Sequence, residues 1–265
     1  MSPFSADWLA LREPADARAR SRPLAVAAAA ALARRPGAVR AIDLATGTGS
    51  NVRYLAGFLP ATLAWLLVDA DADLLRTLPS RLPGVPVDIL RTDLSQLDDP
   101  ALFEGRDLVT ASALLDLVSD RWVASLAEVC ARVDAIVLLT LSYDGRILMT
   151  PEEPEDALVR DLVNQHQRGD KGFGRALGPA AAASAATHFI RHGYRVDRAS
   201  SDWVLDSTDS ELQRQLIEGW AQAAVEIDPA QADAVDRWQM ARLSHVDTGR
   251  SQLVVGHEDV LAFRE

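Results

Sequence analysis

One stretch decides the fold of this chain: Ile42-Asp43-Leu44-Ala45-Thr46-Gly47-Thr48-Gly49-Ser50-Asn51. It begins in a short apolar run, and Val52, Leu55 and Leu59 follow it at helical spacing, which predicts a strand, a glycine turn and a helix. Glycines at the end of a parallel strand let the backbone approach a ligand closely, and the free N–H groups of the next helix point there. The pattern therefore predicts a ligand site at the carboxyl end of the first strand.

The spacing of the glycines indicates which ligand. Val52 stands where the dinucleotide-binding fingerprint G-x-G-x-x-G requires its third glycine, and no G-K-S/T of a P-loop occurs. What remains is an acid, Asp43, followed after three residues by Gly47 and then Gly49. This arrangement resembles the first motif of the class I S-adenosylmethionine (SAM)-dependent methyltransferases. Ala45 is a departure, because many members of that family have a further glycine there.

Acids also follow the next two predicted strands. The apolar run 63–68 ends at Asp69, about 20 residues past the glycines, and the strand 86–91 is followed by Asp93. The position of Asp69 suits a bond to two ribose hydroxyls; its other interpretation is the N-cap of the next helix, a role that Asp71 can fill instead. Three acids at strand carboxyl ends strengthen the resemblance to the methyltransferases.

The resemblance implies a cofactor, SAM, with S-adenosylhomocysteine (SAH) as product, and a set of contacts. Asp93 would accept a hydrogen bond from the adenine amino group, and the residue after it would meet the ring. The fourth strand, 107–112, has small residues at its exit that allow a close approach to the cofactor. The predicted cofactor-binding residues are Asp43, Ala45, Gly47, Gly49, Asp69, Ala70, Asp93, Leu94, Ala111 and Ser112.

A cation before the first strand has two interpretations. In the family, the helix that precedes this strand often closes over the cofactor and offers a cation to the methionine carboxylate, and Arg20 is the candidate. A solvated helix face explains Arg20 equally well.

The acceptor site is expected beyond the fourth and fifth strands. Leu115 and Asp116 follow the fourth strand; Asp116 would stabilise the sulfonium, position the acceptor or cap a turn, and the sequence does not separate these roles. Tyr143 follows the fifth strand, 135–141, and is also predicted to bind the acceptor. His166 and Asp144 are the candidate general bases, which are needed where the acceptor carries a proton of high pKa.

A glycine-rich loop with the chain's single lysine follows the fifth strand. Residues 164–178 are predicted to form a mobile lid in which Lys171 and Phe173 face the acceptor; an ordinary surface loop is the alternative. All other basic residues are arginines, so a compact ammonium is expected to have a use at position 171.

Composition limits the class of protein. The net charge of −11 argues against a nucleic-acid partner. The single cysteine, Cys130, excludes internal disulfides and cysteine metal clusters, and no metal site is predicted. The sequence shows neither a signal peptide nor a membrane span, so a cytoplasmic protein, monomer or homodimer, is expected. The abundance of arginine and alanine is typical of a GC-rich, bacterial genome.

The resemblance predicts one α/β domain over residues 1–265: a three-layer sandwich with a seven-stranded, mostly parallel sheet of order 3-2-1-4-5-7-6, the last strand antiparallel, and helices on both faces. Residues 1–36 would cover the cofactor, 37–145 would form the SAM-binding half, and 146–180 and 206–245 would be helical insertions that cap the acceptor site.

The predicted function is methyl transfer to an oxygen, nitrogen or carbon atom of a small molecule. Two alternatives remain: an aminopropyltransferase of the polyamine class, which is expected to have paired aspartates after the fourth strand where this chain has Ala111-Ser112-Ala113-Leu114, and a non-catalytic SAM-binding module.

Overall fold

The computed structural model of this chain describes residues 5–95, 97 and 99–264. Nine helices and eight strands are assigned in these ranges, apart from short 3-10 turns. The helices are α1 (Ala6–Ala19), α2 (Arg22–Leu32), α3 (Ser50–Leu55), α4 (Ala72–Arg81), α5 (Asp120–Val133), α6 (Asp156–His166), α7 (Ala181–Arg191), α8 (Ser210–Ile227) and α9 (Ala232–Asp247). The strands are β1 (Arg40–Leu44), β2 (Ala64–Asp69), β3 (Val87–Arg91), β4 (Leu108–Ser112), β5 (Ile136–Thr150), β6 (Arg195–Ser200), β7 (Trp203–Leu205) and β8 (Gln252–Phe263).

The strands form one sheet of order β3-β2-β1-β4-β5-β8-β6, in which β7 pairs with β8 beside β6. Strands β1 to β5 are parallel neighbours, and β8 runs antiparallel to β5, β6 and β7. The predicted fold class is thereby confirmed, with one correction. Seven strands were predicted, but residues 195–205 form two strands, β6 and β7, so the last strand is the eighth.

Both faces of the sheet are covered, as its continuous apolar strands require. In β1, Ile42 and Leu44 pack with α5 and α7 in one core cluster, and Ala41 packs with α2 and α4 in another. Because side chains alternate along a strand, Asp43 shares the face of Ala41. The carboxyl ends of β1, β2 and β4 then meet at one edge of the sheet.

The β5–β8 pair extends beyond the parallel strands. Only Ile136–Thr140 of β5 pairs with β4, whereas pairing with β8 continues to Thr150 and shifts register twice. The sequence predicts that the fifth strand ends at residue 141, whereas β5 continues to Thr150 and β8 runs unbroken through residues 256–259. Tyr143 and His257 are directly opposite each other in this extension.

The extended strands carry a third core with α1, α6, α8 and α9. Its helices are tied together by the fully buried Arg242, whose Nε donates to Asp156 Oδ1 at 3.0 Å and whose Nη1 donates to the Pro151 carbonyl oxygen at 2.6 Å. Trp238 Nε1 donates to the same carboxylate oxygen at 2.8 Å. These bonds fix the start of α6 against α9.

Two helices, α1 and α2, precede β1 in the chain. Helix α1 continues through Pro14, and the break falls at Arg20 and Ser21, where the Ser21 side chain accepts from the Leu24 N–H and caps α2. In the described part of the chain, no helix has both the length and the apolar character required to cross a membrane.

Candidate functional site

A cavity of about 790 Å³ opens at the carboxyl ends of the parallel strands and continues under α1, α6 and α8. One half is formed by the segments that follow β1 to β4; the other is formed by the β5–β8 extension and the helices that cover it. Of the predicted site residues, the cavity is lined by Asp43, Ala45, Gly47, Asp69, Ala70, Asp93, Leu94, Ser112, Asp116, Tyr143, Lys171 and Phe173.

The backbone is unusual where the strands enter the cavity. Ala45, Ala113 and Leu141 have φ angles of 51°, 52° and 56°, although each carries a Cβ, and all three line the cavity. Such conformations cost energy and cluster at ligand sites. Gly47 adopts φ 56°, and a Cβ at this position would lie 3.2 Å from Leu9 Cδ1 of α1. The turn after β1 therefore passes closely beneath α1.

A buried hydrogen-bond network surrounds Asp43. Its Oδ1 accepts from Asn51 Nδ2 at 2.6 Å and from Thr110 Oγ1 at 2.7 Å, while its Oδ2 is buried with no partner among the described residues. Burial raises the pKa of the carboxyl, although these hydrogen bonds and the charge of Arg20 oppose the shift. An unpartnered oxygen in a cavity wall is available to a ligand donor.

Arg20 belongs to the same network. Its Nη1 donates to Asn51 Oδ1 at 3.2 Å and its Nη2 donates to Ser112 Oγ at 2.8 Å, while its guanidinium lies 4.9 Å from the centre of the Tyr54 ring. The side chain is buried, so its interpretation as a solvated helix residue is wrong. Arg20 lines a smaller pocket of about 220 Å³, and Asp16 and Ser50 line both pockets.

The acids after β2 and β3 lie at the opposite side of the turn. Asp69 Oδ2 accepts from the Gly47 N–H at 2.8 Å and Oδ1 accepts from the Asp71 N–H at 2.9 Å. Asp71, not Asp69, caps α4, because its carboxylate accepts from the N–H groups of Asp73 and Leu74. Asp93 accepts from the Ser95 N–H at 2.8 Å. Backbone bonds thus orient both acids beside the cavity.

The other half of the cavity has an aromatic wall. Trp203 Nε1 donates to Asp16 Oδ1 at 3.0 Å, and the Arg12 guanidinium lies 4.8 Å from the centre of the Trp203 ring. Arg12 also binds Asp16 through Nε at 3.0 Å and Nη2 at 3.1 Å. The charge of Arg12 is therefore paired, and the rings of Trp8, Tyr143, Phe173, Trp203 and Trp220 face the cavity.

Two titratable groups in this half present hydrogen-bond acceptors. Asp116 is 9% exposed, its Oδ1 has no partner in the described part of the chain, and burial raises the pKa of its carboxyl to about 6. His257 Nδ1 lies 3.0 Å from the Val255 carbonyl oxygen, which can only accept, so Nδ1 carries the proton and Nε2 is the acceptor. Burial lowers the pKa of His257 to about 3, so the ring is neutral.

The loop after α6 brings Lys171 and Phe173 to the cavity. Asp170 Oδ1 accepts from the N–H groups of Gly172 at 2.7 Å and Gly174 at 3.1 Å, which shapes the loop. The Phe173 ring meets Trp122 edge-on, 6.1 Å between centres. Lys171 Nζ lies 3.4 Å from His166 Nδ1, and burial lowers the pKa of the ammonium.

Other predicted site residues lie outside the cavity wall. Asp144 faces Arg146, with its Oδ2 2.8 Å from Arg146 Nε, and His166 Nε2 lies 3.2 Å from Glu226 Oε2. Both candidate bases therefore engage neighbouring side chains instead of lining the cavity. Ala111 and Leu115 are buried in the main core cluster, and Gly49 supplies the left-handed residue, φ 79°, before α3.

Sequence reasoning missed Arg12, Asn51, Trp203 and His257. Asn51 stands in the stretch that decides the fold, but an amide has no recognisable signature there. His257 lies in β8, where Val255, His257 and Asp259 alternate as one face of the strand, and this alternation is the signal that the sequence offers. In the described ranges, no group of three or more histidine, cysteine and acidic side chains could hold a metal ion.

No protein-family model matches the sequence, and no curated protein matches it either. Solved structures do resemble the chain. A cyclopropane-fatty-acyl-phospholipid synthase-like protein from Lactobacillus casei has 16% identity and a TM-score of 0.57, covering 98% of this chain and 94% of that chain. The YcgJ protein from Bacillus subtilis has 17% identity and a TM-score of 0.52, covering 91% and 98%.

A SAM-dependent methyltransferase from Geobacter sulfurreducens in complex with SAH has 15% identity and a TM-score of 0.47, covering 100% of both chains. At the identities of the first two structures, the likeness concerns the fold, which agrees with the sheet order described above.

Proposed function

We propose that this chain is a SAM-dependent methyltransferase that acts on a small-molecule acceptor. The observation that carries the proposal is the placement of Asp43, Asp69 and Asp93 at or just beyond the carboxyl ends of three adjacent parallel strands, around one cavity and beside a glycine turn. Each acid suits a different polar part of SAM: the amino group, the ribose hydroxyls and the adenine amino group.

The residues present fit this cofactor. Asp43 Oδ2 is a buried acceptor without a partner, which suits an ammonium group. Arg20 offers its charge to a carboxylate from the adjoining pocket, and Asp69 is held by two backbone N–H groups at the edge of the cavity. Ala45, Gly47, Ala70, Leu94 and Ser112 would complete the wall. Bound SAM supplies a methyl group already activated by its sulfonium.

The chain's own contribution would be to position the acceptor and exclude water. The insertions 146–180 and 206–245 would form the cap, because they place Val163, Lys171 and Phe173, and Leu216 and Trp220, in the cavity wall. Asp116, Tyr143 and His257 would face the acceptor. Asp116 and His257 replace Asp144 and His166 as the groups that could take up a proton.

The alternative, an aminopropyltransferase, is expected to have paired aspartates after the fourth strand, and this feature is missing here. The exit of β4 has Ser112, Ala113 and Leu114 in the cavity wall and no pair of aspartates. Arg20 would favour the carboxylate of SAM over decarboxylated SAM.

Calorimetric titration with SAH, SAM, decarboxylated SAM and NAD tests the proposal. We expect binding of SAH and SAM, weaker binding of decarboxylated SAM and none of NAD. Binding of NAD without SAH would refute the cofactor, and preference for decarboxylated SAM would favour aminopropyl transfer. A non-catalytic module would bind SAH but consume no SAM with any acceptor in a small-molecule panel.

A further inference from the structure

The half of the cavity under α1 and α8 has a polar character that points to a class of acceptor. Asp116 Oδ1 is a buried carboxylate oxygen without a partner in the described part of the chain. The proton of the His257 ring is on Nδ1, which leaves Nε2 able to accept a hydrogen bond. Leaving a buried polar atom unpaired is unfavourable, so Asp116 Oδ1 is expected to receive a donor from a bound molecule, and His257 Nε2 can accept a second.

These two acceptors lie in one neighbourhood. Tyr143 follows the bulge of β5 and pairs directly with His257 of β8; the two rings are 6.2 Å apart. The backbone of Tyr143 also interacts with the Asp116 carboxyl. The Tyr143 hydroxyl itself donates to Asn164 Oδ1 at 2.9 Å. A ligand beside Tyr143 would therefore lie near both acceptor atoms, Asp116 Oδ1 and His257 Nε2.

The charges that face this neighbourhood disfavour a charged acceptor. From α1, Arg12 is paired with Asp16 but still acts electrostatically on both Asp116 and His257, so its positive charge opposes a cation here. The ionised Asp116 carboxylate carries the opposite charge and opposes an anion, so a charged molecule of either sign meets one like charge. Asp16 is neutralised by Arg12 and by the Trp203 indole N–H, and Asp202 faces Arg146. An uncharged molecule that donates hydrogen bonds satisfies the site.

The walls favour a flat molecule. The Trp203 ring forms part of the cavity wall, with its centre 4.8 Å from the Arg12 guanidinium and 5.0 Å from the centre of the His257 ring. Trp8, Trp220 and Phe173 add further rings to the same cavity. Aromatic faces stack on flat rings, and such pairs stabilise a complex beyond the apolar area that they bury.

We propose that the methyl acceptor is an uncharged aromatic hydroxy compound whose hydroxyl groups donate hydrogen bonds to Asp116 and to His257 Nε2. This inference rests on the proposed function, since it assigns the acceptor half of the same cavity. A hydroxyl is expected rather than an amine because its O–H bond to a carboxylate is short and strong.

Calorimetric titration of the SAH-saturated protein with small probes tests this. Catechol, phenol and anisole present two, one and no hydroxyl donors on one ring, and we expect their affinities to fall in that order. Benzylammonium and benzoate carry a positive and a negative charge, and aniline is an uncharged N–H donor; each is expected to bind more weakly than phenol. Tighter binding of any of these three than of phenol, or equal binding of phenol and anisole, would overturn the proposal.

Two substitutions test the two hydrogen-bond acceptors, Asp116 and His257, one at a time. Asp116→Asn keeps the shape of the side chain and removes its charge, and it should lower the affinity for phenol roughly tenfold. His257→Phe keeps a flat ring and removes the acceptor nitrogen, and should lower the affinity for catechol to that for phenol. If one of these variants had no effect on binding, the assignment of that residue as a hydrogen-bond acceptor would be overturned.

Titration with SAH and SAM keeps the two proposals distinguishable. Both variants should bind SAH as the unmodified protein does, which also shows that they are folded. If Asp116→Asn weakened SAM but not SAH, the carboxylate would act on the sulfonium, and the acceptor assignment would be wrong while methyl transfer would stand. If the unmodified protein failed to bind SAH, the proposed function itself would fail.

Discussion

Asn51 Nδ2 donates a 2.6 Å hydrogen bond to Asp43 Oδ1, and both side chains are buried. The other end of the same amide accepts from Arg20, so a neutral side chain separates a buried acid from a buried cation. Neither charge is neutralised by a direct ion pair in this arrangement. The unpaired Asp43 oxygen is thereby left for a ligand.

We expect Asn51→Ala to lower the free energy of unfolding by about 1–3 kcal/mol, because it leaves buried polar groups of Asp43 and Arg20 unsatisfied. Urea denaturation followed by circular dichroism measures this. Gln222→Ala is the matched control, since that exposed amide bonds only to Glu226 within α8. An equal effect of the two substitutions would show that the amide bridge contributes nothing specific.

Asp69→Ala is expected to weaken SAH by about 1–3 kcal/mol, because ribose hydroxyls would lose a charged acceptor. Asp73→Ala on α4 is the control: its carboxylate is exposed and pairs with Arg76. Calorimetry should show the loss for Asp69 alone. If neither substitution changed the affinity for SAH, the role of Asp69 would be limited to its hydrogen bonds with the turn after β1.

The part of the cavity at the ends of β1 to β4 was predictable from the sequence because local patterns determine it. Acids one strand apart in the chain meet at one edge of a parallel sheet, and a glycine turn has a fixed spacing. The acceptor half depends on long-range placement. Tyr143 meets His257 only because β5 continues past a bulge and pairs with the last strand, and no local pattern around residue 143 specifies that partner.

The two candidate bases, Asp144 and His166, do not line the cavity, and the reason is the same for both. Asp144 and His166 are titratable residues near the end of β5 and in α6, where chemistry was expected, but Arg146 and Glu226 lie within reach of them. Which acid is paired and which is left unpaired, as Asp116 is, depends on neighbours that the sequence does not place.

Lys171→Met is expected to change the affinity for SAH by no more than about 0.5 kcal/mol, the range of substitutions away from a site. The ammonium lies beside His166 in the acceptor half of the cavity, on the loop after α6. Asp69→Ala, measured in the same titrations, provides the contrast. A loss as large as that of Asp69→Ala would place the lysine at the cofactor instead.

Arg242→Ala is expected to lower the free energy of unfolding by about 3–5 kcal/mol, because it leaves Asp156 without its buried partner. Arg242→Met, which keeps much of the volume, should be less damaging. Arg237→Ala is the control on the same helix, since that side chain is 65% exposed and lies 3.9 Å from Glu155. Thermal and urea denaturation compare the three. Equal stability of the Arg237 and Arg242 variants would show that the α6–α9 connection is not needed for the cap.

The buried Asp116 carboxylate is expected to lower the stability of the fold at neutral pH. Burial raises the pKa of this carboxyl from 3.8 in the unfolded chain to about 6 in the folded protein. The folded state then binds more protons than the unfolded state between these values, so its contribution to stability is full below pH 4 and is lost as the pH rises through 6. The unmodified protein should lose about 1 kcal/mol from this group between pH 5 and pH 7. Asp116→Asn cannot ionise there, so its stability relative to the unmodified protein should rise by that amount over the same interval. Urea denaturation of both proteins at the two pH values measures the difference between their free energies of unfolding. The contributions of groups that ionise in both proteins cancel in this difference. A difference that does not change with pH would mean that Asp116 titrates normally. The expected gain at neutral pH would show that the fold retains a carboxylate that costs it stability, which is what a binding role for Asp116 requires.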